Sequence, residues 1–248
     1  MGKPSLLLCA SLVTACSDDV YVGSDLLWSA HHESADLSEW SLDGSGSSEV
    51  EAGRGSITVS DAFAHDGRYS VKLEKVAGGS ADGAGPRLMR YGTLPARAFY
   101  SAWFLVPEDY VTTSYWTILQ FDSHTSTSPV DDRGVNLQLR SLPDANGLVL
   151  QVFFHDGAYL GAPLSNPAPL ITPGSWFQLE VEFNAATDTS GMLVVWLDGR
   201  RVYDISGRPT VNPASLEFML ASMLVDASPS PVVLYVDDVS IARSRAPE

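Results

Sequence analysis

The sequence predicts one all-β domain, an antiparallel β-sandwich, and three observations carry that prediction. Apolar and polar residues alternate with a period of two through most of the chain, the pattern of strands with one buried face. Twenty Gly and fifteen Pro are spread along the 248 residues, which marks many short elements joined by turns. With 45% hydrophobic and 18% charged side chains the composition is globular, and the length suffices for a full core in one piece.

The N-terminus reads differently from the rest. Lys3 precedes an apolar run from Leu6 to Ala15, too short for the roughly 20 residues that cross a bilayer, so it reads as an export signal. Its end, Val13, Thr14, Ala15, Cys16, resembles the bacterial lipobox. That resemblance implies cleavage of residues 1–15, lipidation of Cys16, a short tether over 16–25 and a domain over 26–248. It also implies lipid anchoring in the bacterial cell envelope, at the outer membrane or cell surface rather than the inner membrane, with the lipid as the only contact with the bilayer. Cys9 falls in the discarded segment and Cys16 carries lipid, so no disulfide is expected and the fold rests on its core.

Along the domain the strands follow in order. "SITVS", "YSVKLE", "PRLMRYG" and "FYSAWFLV" come first, each ended by Gly, Pro, Asp or Ser. "YWTILQFDSH" is followed by "RGVNLQLRS", where Val135, Leu137 and Leu139 alternate with Asn136, Gln138 and Arg140. Asn146-Gly147 then supplies a tight turn into "LVLQVFFHDG", and Asp198-Gly199 does the same inside "MLVVWLDGRRVYD". "WFQLEVEFN" and "VVLYVDDVSIA" complete the set. Residues 214–226, rich in Leu, Ala and Met, suit a helix nearly as well as a strand, and their strand neighbours favour strand.

Thirty acidic against fifteen basic residues give a formal charge of −15, which repels phosphate backbones and excludes nucleic-acid binding. Zinc clusters, a phosphate-cradling Gly loop and a GxSxG nucleophile turn are all missing from the sequence.

The succession "YSAWFLVPEDY", "WTILQFDSH", "VNLQLRS", "LVLQVFF", "PGSWFQLEVEFN", "SGMLVVWLDGRRVYD" and "LYVDDVSIA" resembles the strands of concanavalin A-like jelly rolls, above all polysaccharide lyases of the heparin-lyase and alginate-lyase kind and laminin-G-like carbohydrate-binding modules. The resemblance implies a polysaccharide partner held on the concave sheet by a monomer. Alternation puts Gln120, Asp122 and His124 on one face with Trp116, and Gln151 with His155. Together with Asn136, Gln138, Arg140 and Arg90 these make a stripe of amides, guanidinium and imidazole. A lyase of uronic-acid polymers needs such a set: the sugar carboxyl is polarised by Arg, Gln or Asn, a His or Tyr removes the neighbouring carbon-bound proton, and a Tyr returns a proton to the departing oxygen. Gln120, His124, Arg90 and Tyr159 are the catalytic candidates. The related lyases carry Gln and His two apart, and here position 122 is Asp122, with His124 one step further along the same face.

Other readings compete. Glu180 and Glu182 share a face as glycosidase carboxylates do, but the flanking pattern of those enzymes is missing, so two solvent-facing acids on an outer strand are expected. Trp116 and Tyr159 are the expected sugar-stacking rings, and Asn136, Gln138, Arg140, Gln151 and His155 the expected hydrogen-bonding set. "HHESADLSEW", "AHDGRYSVKLE" and "YVDDVSIA" resemble jelly-roll modules whose first and last strands share a structural Ca2+, which assigns Glu33, Asp66, Asp237 and Asp238 as ligands. Three functions stand at this point: a surface-anchored polysaccharide-binding module, a β-eliminating lyase, and an envelope structural or adhesion protein.

Overall fold

A computed structural model describes residues 25–49, 55–76, 85–91, 94–112, 115–123, 133–141, 147–155, 159–212, 216–224, 227–228 and 230–245. The expected export signal, Cys16, His124 and Asn146 lie outside them. Among the described residues the strands are β1 (Leu26–Ala30), β2 (Gly46–Glu49), β3 (Gly55–Ser60), β4 (Ser70–Lys75), β5 (Arg87–Arg90), β6 (Arg97–Leu105), β7 (Val111–Thr112), β8 (Trp116–Ser123), β9 (Arg133–Ser141), β10 (Leu148–Phe154), β11 (Tyr159–Leu160), β12 (Leu170–Ile171), β13 (Trp176–Asn184), β14 (Met192–Leu197), β15 (Arg200–Ser206), β16 (Glu217–Leu224), β17 (Ala227–Ser228) and β18 (Val232–Ala242). One 3-10 turn spans Ser38–Trp40.

Two antiparallel sheets form a jelly-roll sandwich. The first runs β15-β14-β13-β6-β18-β4-β3, with β1 also paired to β18; the second runs β11-β10-β9-β8-β16-β5-β2, with β12 also paired to β10. Chain neighbours are often not sheet neighbours: β18 sits between β4 and β6, and β16 between β5 and β8. The segment that suited helix and strand alike is β16, because β5 and β8 flank it and offer hydrogen bonds on both edges. The Asp198-Gly199 turn has φ of 47° and 73°, the doubly left-handed geometry that matches the twist of a hairpin.

Inward-facing side chains interdigitate between the sheets. Phe121 of β8 stacks on Phe183 of β13 at 4.0 Å between ring centroids, and Tyr100 of β6 meets both Phe121 and Phe218 of β16. Tyr203 of β15 donates to the Leu150 carbonyl of β10 at 2.7 Å, and burial pushes its phenol up to about 12. Each such ring contributes about 1.5–3 kcal/mol through burial alone.

Candidate functional site

The two sheets treat their polar residues differently. On the outer face of the first, Glu180 accepts from Arg245 at 2.7 Å and Glu182 from Arg97 Nε at 2.8 Å. Both acids are buried rather than solvent-facing as expected, because each is covered and paired by an arginine.

The outer face of the second sheet collects the amides, and we call it the amide face. Cross-strand register sets its rows. Gln120 of β8 stands beside Asn136 of β9, which stands beside Phe153 of β10. One row along, Thr117, Gln138 and Gln151 align; at the end, Asp122 pairs with Gly134. Met219 and Glu217 of β16 extend the rows beside Gln120 and Asp122. His155 follows β10 directly, and its N–H donates to the Gly134 carbonyl at 3.0 Å.

Gly134 is the centre of a notch. A Cβ there would lie 3.0 Å from Asp122 Oδ1 and 3.0 Å from both Cε1 and Nδ1 of His155. The missing side chain therefore lets a carboxylate and an imidazole approach from two different strands. Asp122 is held in place: Oδ2 accepts from Gln120 Nε2 at 2.9 Å and Oδ1 from the Ser123 N–H at 2.8 Å. At the opposite end of β9, Arg140 donates to Gln151 Oε1 at 2.9 Å.

The face is buried yet incompletely bonded. Gln120, Asn136 and Gln138 are each under 5% exposed, and Asn136 Oδ1 has no hydrogen-bond partner among the described residues. A buried acceptor without a donor costs about 1–3 kcal/mol, so its retention asks for an explanation other than stability. Gln138 reaches Thr117 only at 3.5 Å.

Five expected residues, Asn136, Gln138, Arg140, Gln151 and His155, thus share this face with Gln120. Two expectations are corrected. Trp116 is 1% exposed and packs in the core against Tyr110 rather than offering a ring to sugar. A register shift between Thr117 and Leu119 is responsible, since one extra residue turns the start of β8 over and sets Trp116 opposite Leu139. Arg90 pairs with Phe218 and so takes the inner parity. Its guanidinium donates to the Trp40 carbonyl, to both carboxylate oxygens of Asp43 and to Ser45, and lies over the Trp28 ring. It fastens the 40–46 turn to the sheet, and its hydrogen bonds hold the Asp43 carboxyl well below the usual range. Tyr159 stands in β11 opposite Phe154.

Three of the four calcium candidates, Glu33, Asp237 and Asp238, accept hydrogen bonds from the protein itself. Glu33 Oε1 accepts the N–H groups of Arg68 and Tyr69 at 2.9 Å each, closing the turn at Gly67. Asp238 takes Nδ1 of His31 at 2.9 Å and of His65 at 2.7 Å; against the effect of burial, these bonds hold its carboxyl low, and the same bond raises His31. Asp237 accepts the N–H of His65 and of Asp238, and faces His32 Nδ1 at 3.4 Å. Asp66 is exposed. Among the described residues no group of three His, Cys, Asp or Glu is placed to hold a metal ion. Oxygens of Glu33, Asp237 and Asp238 are thus engaged by N–H donors of the protein itself.

Gly134 and Asp122 carry the part of the site that sequence reading missed. A glycine inside the alternating "RGVNLQLRS" was the available signal, since such a glycine marks a close approach.

The model of the family described as polysaccharide lyase matches residues 32–221, most of the chain and every strand of the amide face up to β16. The chain belongs to the polysaccharide lyase family. The fold agrees. An endo-β-1,4-glucuronan lyase from the fungus Trichoderma reesei superposes with a TM-score of 0.60 at 13% identity, covering 82% of this chain and 92% of that one. An alginate lyase solved with an alginate trisaccharide gives 0.63 at 13% identity, covering 88% and 98%. Domain 4 of an extracellular arabinanase from Geobacillus stearothermophilus, in complex with arabinotriose, gives 0.53 at 16% identity, covering 90% and 94%. No curated protein matches. As a member of this family the protein acts on polysaccharide.

Proposed function

We propose that the protein is a lyase that cleaves a uronic-acid-containing polysaccharide by β-elimination on the amide face, with His155 as the base. The observation that carries this reading is the Asn136 amide, whose Oδ1 has no partner among the described residues, buried beside Gln120 and one row from the Asp122–Gly134–His155 notch. Turned one way, that amide accepts a sugar hydroxyl; turned the other, it donates to a carboxyl oxygen. Lys is ruled out as base by simple placement: the sequence has it only at positions 3, 72 and 75, and the last two lie on β4 of the other sheet.

In the proposed reaction Gln120 and Asn136 polarise the sugar carboxyl while His155 takes the proton from the adjacent carbon. The electron pair left behind forms a carbon–carbon double bond as the glycosidic bond to the next carbon breaks. The resulting imidazolium is stabilised by Asp122, and Tyr159 returns a proton to the leaving oxygen. The test is ultraviolet absorbance of the new double bond on uronic-acid polymers. Absorbance that grows with enzyme and vanishes in His155→Ala supports the reading, and persistence in that variant with loss in His124→Ala transfers the role to His124. A second reading, binding without cleavage, is favoured by Asp122 at the position where related lyases carry His; retention on immobilised polymer with no absorbance identifies it.

Anchoring through lipidated Cys16 belongs to the same proposal and puts the domain at the cell envelope. Release of a Cys16→Ser protein from the membrane fraction tests it.

A further inference from the structure

Two phenylalanines stand side by side at the end of β10 and are used differently. Phe154 turns inward, where it is 1% exposed and lies under the Arg208 guanidinium at 4.1 Å. Phe153 turns outward and is half-buried, on the same face as Gln151 before it and His155 after it. Its ring centroid is 5.8 Å from that of the His155 imidazole, with 51° between the planes. Across the sheet it stands between Asn136 of β9 and Leu160 of β11.

Asn136, Phe153 and His155 thereby mark the corners of a triangle. Phe153 is one strand spacing from Asn136, about 5 Å, and two residues from His155, about 7 Å along the chain. Given the lyase reading, on which this inference rests, the carboxyl of the reacting sugar lies at Asn136 and the hydrogen to be removed points at His155. A pyranose that meets both has its ring over the third corner. A flat apolar side chain there matches the C–H face of a sugar, and stacking fixes the sugar in one orientation before the proton moves.

We infer that Phe153 is the platform for the reacting sugar, and that the sugar rests on it through the face bearing the hydrogen that His155 takes. That face, laid against the sheet, is the one that directs the hydrogen at a base on the sheet. In β-D-mannuronate it carries axial hydrogens and no axial oxygen. In α-L-guluronate, which differs only in configuration at the acidic carbon, the chair inverts and the matching face carries two axial oxygens, which hold the sugar off the ring. The role expected of Trp116 thus falls to Phe153. Because the stack exists before and during elimination, it acts on binding more than on the chemical step.

The experiment compares wild type, Phe153→Leu and Phe153→Tyr, by product absorbance on the uronic-acid polymer that wild type cleaves fastest and by melting temperature. Leu keeps an apolar neighbour for Leu160 but loses the flat ring, whereas Tyr keeps the ring. The expected result is a KM raised about tenfold in Phe153→Leu with kcat changed less than about threefold, and a KM near wild type in Phe153→Tyr. The ratio of rates on polymannuronate and polyguluronate should also fall in Phe153→Leu and hold in Phe153→Tyr. An unchanged KM in Phe153→Leu overturns the inference and leaves the lyase reading intact. Equal losses in both variants with a lowered melting temperature overturn it too, since that is the signature of packing alone. A wild type that prefers polyguluronate to polymannuronate overturns the stacking orientation. No absorbance from any polymer overturns the lyase reading, and the role at the reacting sugar with it.

Discussion

The outer faces of the two sheets carry similar polar residues to opposite ends. On the first sheet Glu180 and Glu182 are closed off by Arg245 and Arg97, and Gln178 donates to Ser101 at 3.0 Å. Each group there has an internal partner, so the face contributes to stability and offers a ligand little. On the amide face Asn136 Oδ1 is buried without one among the described residues, Gln138 reaches Thr117 only at the limit of bonding, and a glycine lets two ionisable groups close in on it from different strands. What sets the amide face apart is not burial or a missing partner alone, since Trp116 Nε1 and Tyr100 Oη of the core also have none among the described residues, but a missing partner beside two ionisable groups.

That contrast can be broken most forcefully from the layer beneath both faces. Phe121→Ala removes the ring stacked on Phe183 and should cost about 3–5 kcal/mol, read as a lowered denaturant midpoint, with both faces losing order together. His155→Ala comes next: elimination should fall by about 10²–10⁴-fold while the melting temperature stays close to wild type, because the residue is half-buried at a strand end. Asn136→Leu sharpens the comparison directly. It should abolish activity yet leave stability equal or raised by about 1 kcal/mol, since it removes an unpaired buried acceptor. The matching change on the other face, Glu180→Gln, should cost about 1–3 kcal/mol and leave activity untouched, because it weakens a buried charge-assisted pair that only the fold uses. The smallest effect belongs to the 31–33, 65–69 and 237–238 cluster. Because Glu33, Asp237 and Asp238 already accept from N–H groups, EDTA should leave the melting temperature unchanged, and a drop of several degrees would show a calcium ion displacing those contacts.

Much of the site was legible because strand parity is a local property. Asn136, Gln138 and Arg140 fall on one face by alternation alone, and Gln151 with His155 on one face of the next strand; hairpin pairing then brings the two sets together. Glu180 and Glu182 were readable as non-catalytic acids of one face, but not as buried ones, because Arg245 and Arg97, which cover them, come from distant parts of the chain. The readings that failed are those in which parity is not conserved along the element. Trp116 was placed by counting back from Gln120, and the shift between Thr117 and Leu119 invalidates the count. Arg90 follows its strand's own alternation, but which face of β5 is inner depends on pairing with β16, some 130 residues later in the chain.

By itself, then, the sequence determined the class of fold, through its period of two, its spread Gly and Pro and its Asp198-Gly199 turn, and it determined that one sheet face would be amide-rich and the chain acidic. Tertiary structure alone decided which amide is left without a partner, that Gly134 stands between Asp122 and His155, and that Trp116 and Arg90 belong to the packing. The reason is that alternation is written residue by residue, whereas register and bulges are settled between strands distant in sequence, and a shift of one residue exchanges the two faces of everything beyond it.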